Sequence, residues 1–390
     1  MADDYLGWGD GPLPVGVLFS QTGVTAAVER TQLFATRLAI SEINAAGGVA
    51  GRELVEVGRD CQANPKLFRQ EAGRLLDEEG VRIVFGCHMS STRKAVLPVI
   101  ESRNALLIYP TVYEGFEYSS NCIYTGAVPN QSSQPLVRFL LEKYGNRLLL
   151  VGSNYIFPYE SNRIFSDLVI EARGKVLDEI YIPLSCTAAE LERPIERIRK
   201  LQPDVIFSTI VGAGTAMFYE AYRRAGFDPA RMPIASLTTS EAEVAEMSSE
   251  AAEGHITVAP YFETIDSDNN RKFLAAYRRQ FGPGTPVTAA AEAAYYQVHL
   301  TAAAIAQARS VDRDAVVAAL GRVQFDAPQG RVAIDTSNNH TFLWPRVAQI
   351  DAAKRFNIIS DPHRAIKPDP YFLSSSQDDW ALASPTAGID

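Results

Sequence analysis

Residues 83–109 read IVFGCHMSSTRKAVLPVIESRNALLIY, and this one stretch contains the repeating unit of the whole chain. Ile83-Val84-Phe85-Gly86 is apolar throughout and too short for a helix. A turn follows, then a segment at 91–102 with apolar residues at helical spacing, then a second apolar run at 106–109. Strands this uniformly apolar need cover on both faces, and a helix between two of them supplies it, so the unit predicts an α/β fold with parallel strands.

The same alternation extends outward in both directions from this unit. It predicts strands at 15–20, 54–59, 83–86, 106–109, 148–152, 176–182, 205–209 and 234–237. Helices are expected between them at 31–45, 65–79, 91–102, 134–144, 160–172, 188–201 and 215–225. The rhythm breaks twice, at 123–129 and 256–262, where strand-like stretches read as crossovers into another α/β unit. Helices at 270–281 and 288–308 and a β-rich section at 331–359 complete the chain. At 390 residues there is enough chain for two cores. The expected architecture is therefore two Rossmann-like lobes with parallel sheets, joined by crossover strands around a cleft. One lobe takes 12–123 plus 257–330, the other 124–256 plus 331–380.

Composition removes several function classes. The net charge of −9 repels phosphate backbones and anionic lipid surfaces. The basic stretch 193–200 and the pair Arg223-Arg224 lie in expected helices beside Glu192, Glu196 and Glu220, so they read as solvated helix faces and no direct nucleic-acid contact is expected. No run of about 18 apolar residues offers a membrane-spanning helix. Cys61, Cys87, Cys122 and Cys186 are too scattered for a zinc ribbon or a dithiol motif and read as free thiols. The acidic start, Met1-Ala2-Asp3-Asp4, lacks the pattern of an export signal, so the expected address is cytoplasmic, or periplasmic if a signal has been removed.

No enzyme motif is complete: there is no phosphate loop, no His-Glu-x-x-His and no nucleophile elbow. Gly212-Ala213-Gly214 resembles part of a dinucleotide fingerprint, but Met217 stands where a third glycine is needed, and a tight strand-to-helix turn accounts for it. His88, His255, His299, His340 and His363 have no ligand spacing. Neither a metal nor a cofactor is expected.

The chemistry gathers instead at the carboxyl ends of the expected strands, where open parallel sheets bind their ligands. These ends read His88-Met89-Ser90-Ser91-Thr92, Tyr109-Pro110-Thr111-Val112-Tyr113, Ser153-Asn154-Tyr155-Ile156-Phe157, Thr209-Ile210-Val211-Gly212 and Leu237-Thr238-Thr239-Ser240. Hydroxyls and aromatic rings dominate and formal charges are scarce, which suits a small uncharged ligand. Ser90, Ser91 and Ser240 also fit the simpler role of helix caps. Glu114, Glu160 and Glu241 are the nearest charges, each equally at home in a first helical turn.

At these residues the chain resembles the type I periplasmic-binding-protein fold in its amide- and urea-binding branch, especially the amide sensors that negatively regulate amidase operons. The likeness is carried by Leu18-Phe19-Ser20-Gln21-Thr22-Gly23, Met89-Ser90-Ser91-Thr92-Arg93, Tyr109-Pro110-Thr111-Val112-Tyr113-Glu114-Gly115, Leu237-Thr238-Thr239-Ser240-Glu241-Ala242-Glu243 and Asp326-Ala327-Pro328-Gln329-Gly330. It implies that Ser90, Tyr109, Thr111, Tyr155 and Thr238 contact an amide, that backbone near Val112 and Val211 completes the shell, and that lobe closure is the signal. His88 and Phe157 occupy places where the branch has tyrosine. The implied function is a cytosolic sensor of short aliphatic amides or urea, with an RNA-binding antiterminator protein as partner. The alternative is the binding component of an ABC-type transporter for amides, urea or branched-chain amino acids, with a permease as partner. Self-association is left open. An enzyme of amide metabolism is the third reading, set aside because no nucleophile, base and oxyanion set can be assembled.

Overall fold

The structure, a computed structural model, describes residues 11–372. The first sheet begins with β1 (Leu13–Leu18), β2 (Leu54–Val57), β3 (Ile83–Gly86), β4 (Leu106–Tyr109) and β5 (Cys122–Tyr124), all parallel in the order β2-β1-β3-β4-β5. The chain then crosses to a second sheet. There β6 (Arg147–Ser153), β7 (Lys175–Ile182), β8 (Val205–Thr209), β9 (Ile234–Ser236) and β10 (Ile256–Ala259) lie parallel in the order β7-β6-β8-β9-β10. It returns for β11 (Gln324–Ala327), β12 (Gly330–Asp335) and β13 (His340–Thr341), the last of which pairs with β5. A third crossing delivers β14 (Arg346–Ile350) and β15 (Phe356–Ser360), antiparallel, to the β10 edge. The fold is α/β with two mixed, mostly parallel sheets.

Twelve α-helices cover these sheets among the described residues. The first lobe carries α1 (Ala26–Ala45), α2 (Pro65–Asp77) and α3 (Ser90–Ser102); the second carries α4 (Ser133–Lys143), α5 (Ile156–Glu171), α6 (Glu192–Leu201), α7 (Ala213–Arg224), α8 (Glu241–Ala245) and α9 (Ser249–Ala252). The first lobe then regains α10 (Asp268–Phe281), α11 (Ala289–Ala308) and α12 (Arg313–Leu320). Alternation along each strand divides the cores. Ile83, Phe85, Leu106 and Ile108 pack with α1 and α11, while Val84, Leu107 and Tyr109 pack with α2 and α3. In the second lobe Leu149, Val151 and Ile206 meet α7 and α8, and Leu148, Leu150 and Phe207 meet α4 and α5. Apolar layers on both faces explain why β3, β4 and β8 are buried along their whole length.

The structure differs from the sequence reading in three places. The suggested boundary at 330/331 would split a hairpin, because Ala327 pairs with Gly330 and Asp326 with Arg331; residues 324–341 all stay on the first sheet. The short β13 has too little pattern to announce itself. Helix α1 starts at Ala26 rather than 31, and α5 at Ile156 rather than 160. Pro158 sits in the first turn of α5, where a missing N–H costs nothing. All four cysteines are free, and only Cys186 is not fully buried.

Candidate functional site

The carboxyl ends of both sheets meet at one cavity of about 90 Å³. From the first lobe it is lined by His88 and Ser90 after β3, Thr111 and Val112 after β4, and the first residues of α11. From the second come Tyr155 and Phe157 after β6, Val211 and Gly212 after β8, and Thr238 after β9. Eight of the nine expected site residues therefore share this wall. Tyr109 does not line it: strand alternation turns its ring, with Leu107, into the α2/α3 layer, where its hydroxyl donates to the His88 carbonyl at 2.7 Å.

Each lining group has a definable hydrogen-bonding state. Ser90 is the first residue of α3, whose cap is Met89. Its hydroxyl donates to Glu114 Oε2 at 2.6 Å and accepts from Arg93 Nη1 at 3.1 Å, so it is neither a cap nor a free donor. Behind it Arg93, fully buried, pairs with Glu114 at 3.1 Å and Glu117 at 2.7 Å and lies over the rings of Tyr109 and Tyr113. Glu114 is thus committed within the chain, Glu160 pairs with Arg163, and Glu241 accepts the Glu263 N–H; none of the three lines the cavity. Thr238 donates its proton to the Ile210 carbonyl at 2.8 Å. Tyr155 occupies the N-cap of α5 but makes no capping bond, and its hydroxyl has no partner among the described residues. The N–H of Val211 is taken by Ser153 Oγ at 3.2 Å, whereas the N–H of Val112 has no partner among the described residues.

His88 stands half-buried in the wall, and loss of water around the ring pushes its pKa down to about 4, leaving it neutral at pH 7. Its Nδ1 lies 3.0 Å from Gln32 Oε1, while Gln32 Nε2 donates to Thr111 Oγ1 at 3.1 Å. The lining contains no Lys or Arg. Its one carboxyl, Glu243, accepts the Ser240 N–H at 2.9 Å in the capping box of α8; burial pushes its pKa up to about 7. Ser240 is therefore the helix cap that Ser90 is not. Among the described residues no group of three or more potential ligating side chains offers a metal site.

Sequence reading missed Glu243, Gln32 and Thr257. Glu243 lies three residues after Ser240, a spacing that signals only a cap. Gln32 is a fully buried amide on a helix face that also buries Glu29, Thr31 and Thr36, and Thr257 is a lone hydroxyl between Ile256 and Val258. Thr257 lines the cavity, and its buried hydroxyl has no partner among the described residues. A polar residue interrupting an apolar run was the available signal for Thr257, whereas Gln32 follows Glu29, Arg30 and Thr31 and gave no such signal.

The periplasmic binding protein domain family matches residues 13–377. The chain belongs to this family. The present periplasmic binding protein is 25% identical over 303 residues to a Leu/Ile/Val-binding protein homolog of Brucella melitensis, covering 75% of this chain and 77% of that one. Its fold superimposes with a TM-score of 0.85 on an ABC-transporter solute-binding protein of Rhodopseudomonas palustris solved with p-hydroxybenzoic acid, at 22% identity over 94% of this chain and 100% of the other. A branched-chain amino acid transporter substrate-binding protein of Streptococcus pneumoniae, solved with isoleucine, gives 0.80 at 18% identity over 92% and 100%. The two solved structures support the fold, the type I periplasmic binding protein fold. These relatives are named as binding proteins, and the family to which the chain belongs is a family of binding proteins. Among its described residues no helix is long and apolar enough to cross a membrane.

Proposed function

We propose that this protein is the solute-binding component of an ABC-type uptake system and that its cleft takes a small, uncharged, N–H-bearing ligand such as a short aliphatic amide or urea. One observation carries the choice of ligand: the cavity wall holds no cation, and the Ser90 and Thr238 hydroxyls already donate inward, so they offer lone pairs to the cleft. Such a wall accepts ligand N–H groups. The Val112 N–H and the Tyr155 hydroxyl remain as donors for a ligand carbonyl. A carboxylate would enter without a counter-ion and beside Glu243, at a desolvation cost of several kcal/mol.

The volume agrees with a small ligand. About 90 Å³ is less than the ~150 Å³ of an apolar cavity that takes up benzene. Membership of the solute-binding family and the Brucella relative support uptake over the sensor reading, so the partner proposed is a permease rather than an RNA-binding antiterminator, and the proposed location is periplasmic. A thermal-shift panel of acetamide, propionamide, urea, leucine and 4-hydroxybenzoate tests the ligand class. Stabilisation by the first three is expected; stabilisation by leucine or 4-hydroxybenzoate with none from the amides would overturn it.

A further inference from the structure

We infer that Gln32 is a positioning residue that holds His88 in the tautomer with its proton on Nδ1, so that the bare Nε2 accepts a hydrogen bond from the ligand. Gln32 is fully buried on α1 and does not line the cavity, whereas His88 does. Any effect of Gln32 on the ligand must therefore pass through the side chains it holds. Its carbonyl oxygen lies 3.0 Å from His88 Nδ1, and a carbonyl can only accept, so the proton belongs to Nδ1. The other end of the amide is fixed by donating to Thr111 Oγ1 at 3.1 Å. The Thr111 hydroxyl in turn lies 3.5 Å from the Cys87 carbonyl and 3.4 Å from His88 Nδ1; with the proton of the ring on Nδ1, the carbonyl is the acceptor left for the Thr111 proton. The chain of bonds thus runs from His88 to Gln32, on to Thr111 and then to backbone.

An isolated neutral imidazole favours the proton on Nε2. Without Gln32, the side chain would present a donor to the cleft, where an N–H-bearing ligand needs an acceptor. Gln32 reverses that preference and adds His88 to the lone pairs of Ser90 and Thr238. The consequence for binding rests on the proposed amide-type ligand; the tautomer itself does not, because it is a property of the free protein.

The test is a long-range proton–nitrogen NMR spectrum of the ¹⁵N-labelled, ligand-free protein at pH 7.5, with the His88 signals assigned by their loss in His88→Gln. The expected wild-type pattern has a protonated Nδ1 and an unprotonated Nε2. Gln32→Leu should move the proton to Nε2, and Gln32→Glu, which keeps an acceptor, should restore the wild-type pattern. Calorimetry with acetamide should show about a tenfold loss of affinity in Gln32→Leu and less in Gln32→Glu. A wild-type His88 protonated on Nε2, or a tautomer unchanged in Gln32→Leu, would overturn the inference whether or not acetamide binds. If Gln32→Leu fails to fold, the wild-type spectrum alone still decides. A correct tautomer with no acetamide binding would leave Gln32 in its role and count against the proposed ligand.

Discussion

Gly212 of the second lobe lies directly against the carbonyl of Val24 in the first: a β-carbon at position 212 would stand 2.2 Å from that oxygen. The glycine also has φ +65° and ψ −149°, a region open to almost no other residue. Its place in the sequence is therefore explained by an approach of one lobe to the other at the mouth of the cleft, and the partial dinucleotide motif needs no cofactor.

Gly212→Ala should hold the lobes apart. Ligand that touches both lobes favours the closed state only by its differential affinity, so a clash across the mouth subtracts directly from binding. Small-angle scattering of the wild type should show contraction with saturating acetamide. In Gly212→Ala the contraction should be lost and affinity should fall by about 5- to 150-fold, from a strain of about 1–3 kcal/mol. Equal contraction in both proteins would remove this contact from the closing mechanism.

Two tyrosines separate the cleft from the core behind it. Tyr155→Phe removes a hydroxyl with no partner among the described residues, so melting temperature should barely change while acetamide binding weakens by about 1–3 kcal/mol. Tyr109→Phe removes the bond to the His88 carbonyl, so stability should drop by about 0.5–1.5 kcal/mol with affinity nearly unchanged. Calorimetry and thermal melts on both variants decide; the reverse pattern would return Tyr109 to the ligand shell.

What was legible in the sequence was whatever has a period or a punctuation mark. The apolar runs at β3, β4 and β8 and the helices between them follow from alternation, and the chemistry at strand ends follows from parallel-sheet geometry. The side on which Tyr109 falls was implicit in its spacing from Leu107, but it needs the layers to be known before it means anything. The partners of Ser90 were not legible, because Glu114 and Arg93 reach it through the fold. Gln32 is distant from His88 and Thr111 in sequence, and only the packing of α1 beside β3 and β4 brings the three together. β13 was invisible because two residues carry no pattern.

Buried carboxyls should make the protein less stable in mild alkali. Burial raises Glu29 and Glu243 to about 7 and Glu292 to about 8, above the ordinary carboxyl value, so the folded state binds protons that the unfolded state has released. Their stabilising contribution is full below the unfolded pKa and is lost as pH rises through 7 to 8. His88 and His340, lowered to about 4, and His255, lowered to about 3, act in the opposite sense, but only below about 6.5. The melting temperature should therefore fall between pH 6.5 and 8.5. Glu29→Gln, which keeps the shape but cannot ionise, should shrink that fall. A melting temperature that rises across this interval, or a Glu29→Gln slope equal to wild type, would contradict the assignment.

Acetamide and acetate have the same size and outline and differ only in whether the cleft meets N–H donors or a negative charge. Paired calorimetric titrations with the two are the most direct test of an acceptor-lined, cation-free site. Acetamide has four heavy atoms, and a ceiling of about 1.5 kcal/mol per atom limits its Kd to a few tens of micromolar at best. The account predicts saturable acetamide binding at or above that limit and acetate weaker by at least about a hundredfold, since its charge finds no partner. Acetate binding as tightly as acetamide, or more tightly, would contradict it.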